Sequence, residues 1–360
     1  MEVYVMKKMV TTIVLLLVMS TLIFAGGQKE GMEKSGEQGA SGKSEEMEKT
    51  YRFAMVTDVG GLGDQAFNDA GYRGLQRAEE ELGAEIKVVE SSSVADYETN
   101  IRQLSEIGFD VIFCVGAMLT DALKIVAKEF PNTDYCIIDG SIADYPNVLS
   151  INYHEEQAAF IAGALAAKMT KTGVVGHVSG MKFPIMERFE AGFIAGANTA
   201  DPDVKTLVTY TGKFDDPGLG KETALTQFGA GADIIAATAG ACNLGVFDAA
   251  KELGPEKWAM GAAAGQTHLS PTTIMADQVK RLDNSMYYVA EQYVKGNFET
   301  GTVKYGLEEG GVGLLYGDNA ADIPQEVFDY IDMLTEKIIA GEVVVPTTVE
   351  GLKSFEPPKL

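Results

Sequence analysis

From Tyr51 onward the chain alternates between two hydrophobic periods. Short apolar runs of about five to eight residues are followed by stretches in which apolar residues recur every three or four positions. The runs predict strands at 52–59, 86–91, 111–116, 135–139 and 148–152. The longer-period stretches predict helices at 67–82, 96–107 and 119–130, the last stopped by Phe130-Pro131. A helix over 155–169 carries Ala158, Ala162, Gly163 and Ala166 on one face, which suits close packing on a sheet. A second series then begins, with strands at 174–178, 206–210, 234–238, 258–262 and 273–276 and helices at 183–200, 221–229 and 244–253. A helix at 279–295, short strands at 303–307 and 313–316 and a last helix at 324–339 complete the pattern.

Strand–helix alternation of this kind predicts an α/β fold of two doubly wound parallel-sheet lobes joined by a hinge. The first lobe takes residues 51–154 and is completed by about 279–309. The second takes 155–278 and is completed by about 310–360. Three chain crossings are expected, near 153–156, 276–280 and 310–313. Ligands of open parallel sheets bind beyond the carboxyl ends of the strands. Two such edges facing each other would enclose a cleft.

The first 50 residues differ in kind. Met6-Lys7-Lys8-Met9 precedes an apolar run over 10–24, and Ala25-Gly26-Gly27 ends it. Residues 1–27 are expected to be an export signal, cleaved near 26–28; an uncleaved anchor is the alternative. Gly27 stands where a bacterial lipoprotein would carry cysteine, so no lipid anchor is expected. Residues 28–50 are almost wholly polar and are expected to be a flexible tether.

Charge narrows the partners. The formal net charge is -23, which repels phosphate backbones, so no nucleic acid is expected. Cys114, Cys136 and Cys242 form no Cys-x-x-Cys, and the first two fall in apolar runs, which predicts buried free thiols. His154, His177 and His268 lack ligand spacing, so neither metal nor cofactor is expected. His177 is expected to be a core histidine. Gly61-x-Gly63-x-x-Ala66 resembles a dinucleotide fingerprint. Asp58 and Asp64 beside that loop would repel a pyrophosphate, and an enzyme is not expected.

Candidate chemistry gathers at the strand ends. The first strand runs into Asp58, Gly60, Phe67 and Asn68, and the fourth into Asp139. The second series adds Met181, Phe183, Phe214, Gly240 and Ala263, with Lys280 at the second expected crossing. Carboxylates can accept from hydroxyls or ring N–H groups, and phenylalanine faces can stack on a planar ring. The alternatives are a core role for Phe67 and capping or turn roles for Asp58 and Asp139.

At Val56-Thr57-Asp58-Val59-Gly60-Gly61 with Phe67-Asn68, at Arg188-Phe189-Glu190-Ala191-Gly192-Phe193 and at Gly229-Ala230-Gly231-Ala232-Asp233-Ile234-Ile235, the chain resembles the basic membrane protein family of substrate-binding proteins. The best-known branch of that family is the purine nucleoside receptors. The resemblance implies a type I periplasmic-binding-protein fold and an ABC importer, with its permease as partner, that takes up a nucleoside-like solute; a monomer is expected, and a ligand-sensing surface module without a transport role is the alternative. It implies that Phe67 stacks on the base, with Asp58, Asn68 and Asp139 as polar contacts. The family often reads Gly-Val-Asp-x-Asp-Gln where this chain has Gly261-Ala262-Ala263-Ala264-Gly265-Gln266. Ala263 and Gly265 thus replace two carboxylates, one of them expected to hold ribose hydroxyls. A larger or less hydroxylated ring is the alternative to a nucleoside.

Overall fold

Side chains alternate between the two faces of each strand, and both faces are apolar here. In β1 (Arg52–Thr57), Phe53 and Met55 enter one core while Ala54 and Val56 enter another. A strand buried on both faces belongs in the middle of a helix-covered parallel sheet. The computed structural model describes residues 49–263, 265–317 and 323–358. The expected export signal and nearly all of the expected tether lie outside the described residues.

The first lobe contains β1, α1 (Phe67–Leu82), β2 (Glu85–Val89), α2 (Asp96–Ile107), β3 (Val111–Val115), α3 (Thr120–Glu129), β4 (Asp134–Ile138) and β5 (Val148–Tyr153). The second contains α4 (Glu155–Met169), β6 (Val174–Ser179), α5 (Pro184–Ala200), β7 (Lys205–Tyr210), α6 (Pro217–Gly229), β8 (Ile234–Thr238), α7 (Cys242–Leu253), β9 (Trp258–Ala263) and β10 (Ile274–Lys280). α8 (Leu282–Val294) then returns to lie beside α1, and β11 (Gly301–Tyr305) pairs with β5. β12 (Val312–Tyr316) pairs with β10, and α9 (Gln325–Ile339) packs on α4.

Both sheets have six strands, in the orders β11-β5-β4-β3-β1-β2 and β12-β10-β9-β8-β6-β7. Strand order therefore reverses between β1 and β3 in one lobe and between β6 and β8 in the other. Such reversals splay the helices apart and open a crevice at the strand ends.

Two details differ from the sequence expectation. β10 runs on through Val279 and Lys280, which the pattern assigns to a helix of the first lobe, so the crossing falls at Arg281. Asp277 and Gln278 look like loop residues, yet both are fully buried. Asp277 Oδ2 accepts the Thr267 backbone N–H at 2.8 Å, which keeps a polar residue inside a strand. Secondly, β12 is antiparallel to β10. The chain comes back from β11 through a short link without a helix, and a parallel return would need a long crossover.

The crossings are tied together. His154 N donates to Tyr305 O at 2.9 Å, Arg281 N to Gly311 O at 2.9 Å, and Leu307 N to Gln157 Oε1 at 2.9 Å.

In the second lobe, α4 and α5 approach through glycine. A Cβ on Gly163 would lie 2.0 Å from Phe193 O, and one on Gly196 would lie 1.8 Å from Phe160 O. Gly196→Ala would push two backbones apart and is expected to cost about 1–3 kcal/mol, read as a lower melting temperature. Gly229→Ala, at the open end of α6 with nothing within 4 Å, is the matched control. It should leave melting unchanged or raise it slightly.

Candidate functional site

The first-lobe wall is built at the end of β1. Asp58 Oδ1 accepts the Gly60 N–H and one Asn68 Nδ2 hydrogen, both at 2.9 Å. A Cβ on Gly60 would stand 3.0 Å from each of those partners, so glycine lets the turn close. The free N–H groups at the start of α1 go to Asp64, not Asp58. Asp64 accepts from Ala66 N, Asn68 N and Asp69 N at 2.9, 2.9 and 3.1 Å. That capping leaves Phe67 at the first helical position, half-buried. Asn68 is 1% exposed, donates to Asp58 and Asp64, and has no partner for its own Oδ1. Burial, with some help from the Asp64 and Asp139 charges, pushes the Asp58 carboxyl up to about 6.

A second group links the lobes. Asp139 follows β4 with φ +66°, in the left-handed region. Its Oδ2 accepts Lys280 Nζ at 2.5 Å, and its Oδ1 is buried without a partner. Lys280, 3% exposed at the end of β10, also donates to Glu155 Oε1 at 2.9 Å. Its Nζ lies 5.3 Å from the Phe67 ring centroid and 4.9 Å from that of Tyr153. Glu155 Oε2 takes Arg188 Nε at 2.7 Å. Burial lifts the Asp139 carboxyl to about 6, with Glu155 adding to the rise and Lys280 opposing it. For Glu155 burial also favours the neutral acid, but the Lys280 and Arg188 charges together win and hold it below the usual carboxylate range.

The second-lobe wall is mostly apolar. Phe183, Ile185, Met186 and Phe189 come from the start of α5, and Phe214, Ala262 and Ala263 from strand ends. The Phe214 ring packs on the bare Cα of Gly180, where a Cβ would meet it at 2.0 Å, and meets Phe183 edge to face with centroids 6.1 Å apart. The polar residues of this wall are engaged elsewhere. Thr238 Oγ1 pairs with His177 Nε2 at 3.0 Å. Asn243 accepts from Ala239 N at 2.8 Å and donates to Gln266 Oε1 at 3.0 Å. His177 lies in the core as expected, and burial brings its pKa down to about 4. Ala263 has φ +60°. Behind it, burial pushes Asp277 up to about 7.

These walls face each other across one cavity. Asp58, Gly60, Phe67, Asn68, Asp139, Phe183, Phe214, Gly240, Ala263 and Lys280 all line it. Met181 does not: α5 begins three residues later and presents Ile185, Met186 and Phe189 in its place. The spacing of those three on a helix following a strand end was a readable signal. The roles of Asp64, Glu155 and Arg188 were not, because no pattern in one dimension marks them. The three cysteines are free and buried, and among the described residues no cluster has metal-ligand geometry.

Lys280→Met would leave Asp139 buried beside Glu155 without their shared cation, a loss of about 3–5 kcal/mol. A carboxyl whose folded pKa lies above its unfolded value favours the fold as pH drops through the folded pKa. Asp139 already stands near 6 against an ordinary 3.8, and the variant would raise it further. The melting deficit of Lys280→Met should therefore be large near pH 7.5 and shrink toward about pH 5. An equal deficit at both would mean that lost packing, not charge, dominates.

A sequence profile described as ABC transporter substrate-binding protein PnrA-like, named Bmp, matches residues 52–349. The chain is 31% identical over 362 residues to the ABC transporter nucleoside-binding protein BmpA of Lactococcus lactis subsp. cremoris, covering 95% of this chain and 100% of that one. It is 34% identical over 315 residues to Basic membrane protein B of Borrelia garinii subsp. bavariensis, covering 84% and 90%. A crystal structure of an ABC transporter system solute-binding protein from Aeropyrum pernix aligns with a TM-score of 0.77 at 31% identity, covering 84% of this chain and 96% of that one. The chain belongs to the Bmp family, the PnrA-like substrate-binding proteins of ABC transporters.

Proposed function

We propose that this protein is an exported receptor that captures a planar heteroaromatic solute in the cleft and hands it to an ABC permease. Purine nucleosides come first as ligands, and a flavin-like molecule or modified nucleoside next. The observation that carries this reading is the pairing of aromatic faces with open acceptors inside one cavity. Phe67 stands on one lobe and Phe183 and Phe214 on the other, while Asn68 Oδ1 and Asp139 Oδ1 are buried without donors. A ligand with N–H or O–H groups would satisfy both oxygens, whose isolation otherwise costs about 1–3 kcal/mol each. The Lactococcus relative, named as nucleoside-binding, supports the same class.

The chain acts as a monomeric binding protein and not as an enzyme. Its lobes close about the three crossings at residues 153–155, 280–282 and 305–312, a hinge motion usual for paired domains around a ligand. Exported placement suits the acidic chain and the basic-then-apolar start of the sequence.

Calorimetry against adenosine, guanosine, inosine, riboflavin and simple sugars tests the ligand class. Phe67→Ala should weaken binding by about 1–3 kcal/mol while melting changes little; Asp58→Ala should weaken binding on the same scale and also lower melting, because Gly60 N–H and Asn68 lose their buried acceptor. Ala263→Asp should favour ribosides over free bases. Tight binding of a non-aromatic sugar, with no response to the heteroaromatics, would end the reading. Small-angle scattering with a saturating ligand should show a more compact particle, and an unchanged profile would count against hinge closure.

A further inference from the structure

We propose that Gly180 and Gly240 are positioning residues for ligand recognition: together they form the slot that holds Phe214 as a preset stacking face on the second lobe. This rests on the heteroaromatic reading above and deepens it, since neither glycine has a side chain of its own to offer a ligand.

The slot lies where strand order reverses in the second sheet, between β6 and β8. Gly180 directly follows β6, and Gly240 stands two residues beyond β8. Phe214 reaches them from the link between β7 and α6. A Cβ on Gly180 would meet the Phe214 ring atoms Cε1, Cδ1 and Cζ at 2.0, 2.4 and 2.8 Å. A Cβ on Gly240 would meet Phe214 O at 2.8 Å and Phe214 Cβ at 3.2 Å. One glycine therefore seats the ring, and the other seats the backbone that carries it. The link is fastened to the same strand ends. Thr211 N donates to Ser179 O at 2.8 Å, Gly212 N to Gly180 O at 3.1 Å, and Ala241 N to Phe214 O at 2.8 Å. Phe183 meets the ring edge to face, with 72° between the planes.

Backbone conformation separates the two glycines. Gly240 has φ +58°, which by itself favours glycine, whereas Gly180 has no positive φ and its backbone would accept alanine. Turn geometry thus accounts for part of the need at Gly240 and for none of it at Gly180. What glycine supplies at 180 is room for the Phe214 ring. Any side chain there would displace the ring from its place on the cavity wall. A stacking face fixed before the ligand arrives does not have to be ordered on binding, which favours affinity without adding a contact.

The test is a double-mutant cycle on binding. Calorimetry against adenosine, guanosine, inosine and riboflavin selects the tightest of the four as the probe. Gly180→Ala and Phe214→Ala should each weaken that probe about tenfold or more, the first by displacing the ring and the second by removing it. In the Phe214→Ala background, Gly180→Ala should change affinity by less than about twofold, because the group it displaces is gone. Thermal melting checks that each variant folds. A role in the fold alone would weaken binding equally in both backgrounds, and that additivity would overturn the proposal. So would binding by Gly180→Ala within about threefold of the unaltered protein. If Gly180→Ala does not fold, Gly240→Ala, which presses on Phe214 from its backbone side, carries the same cycle with the same expectations. Failure of both to fold would assign the glycines to the fold and overturn the positioning role. Binding of none of the four probes by the unaltered protein would instead overturn the heteroaromatic reading, and this inference with it.

Discussion

The structure depends on one buried ammonium. Lys280 Nζ lies between Asp139, at the end of a first-lobe strand, and Glu155, at the start of the first second-lobe helix. None of the three side chains could be left charged in that place alone, because desolvation would cost each several kcal/mol. Together they offset one another, and Arg188 completes the balance on Glu155. The consequence is geometric. Three chain segments that the fold brings in from two lobes are fixed relative to one another where they meet the cavity.

From that anchor the two halves diverge in chemistry while sharing a topology. Both sheets reverse strand order at equivalent positions, so both present loops to the same cleft. In the first lobe the loop after β1 is turned by glycine and capped by Asp64, which aims Asn68 and Phe67 inward. In the second the corresponding loop leads into α5, whose first turns bring Ile185, Met186 and Phe189. Polar groups there are matched within the lobe. One wall thus presents open acceptors and the other excludes water, an arrangement that strengthens whatever polar contacts a ligand makes on the first side.

Backbone conformation bears on the same asymmetry. Asp139 and Ala263 both have positive φ at cavity positions, +66° and +60°. Asp139 is held by Lys280, whereas the Ala263 segment lies ahead of a loop fastened through Gln266 and Asp277. Residues without glycine's freedom adopt such angles only where their surroundings impose them. Both stand at strand ends that border the cavity.

Much of this was legible in one dimension. Hydrophobic periodicity alone places α1, α2 and α4 at their observed bounds, because each has a long amphipathic or uniformly small pattern and clear ends, such as Gly83 and Gly108 in left-handed caps. The strand-end positions also named Asp58, Phe67, Asn68, Asp139, Phe183 and Phe214 as neighbours of a cleft, since in a doubly wound sheet those ends share one edge. What periodicity misplaced was the polar end of β10: Asp277, Gln278 and Lys280 look solvated in sequence and are buried in the fold. The burial of Asp277 and Lys280 depends on partners from residues 139, 155 and 267, which only folding brings near. Met181 and Met186 likewise differ by where α5 starts. Local pattern therefore determined the lobes and the edge on which the site lies. The tertiary structure decided which charges neutralise each other there and which oxygens remain open, because pairing of buried charge is a property of distance in space and not of spacing along the chain.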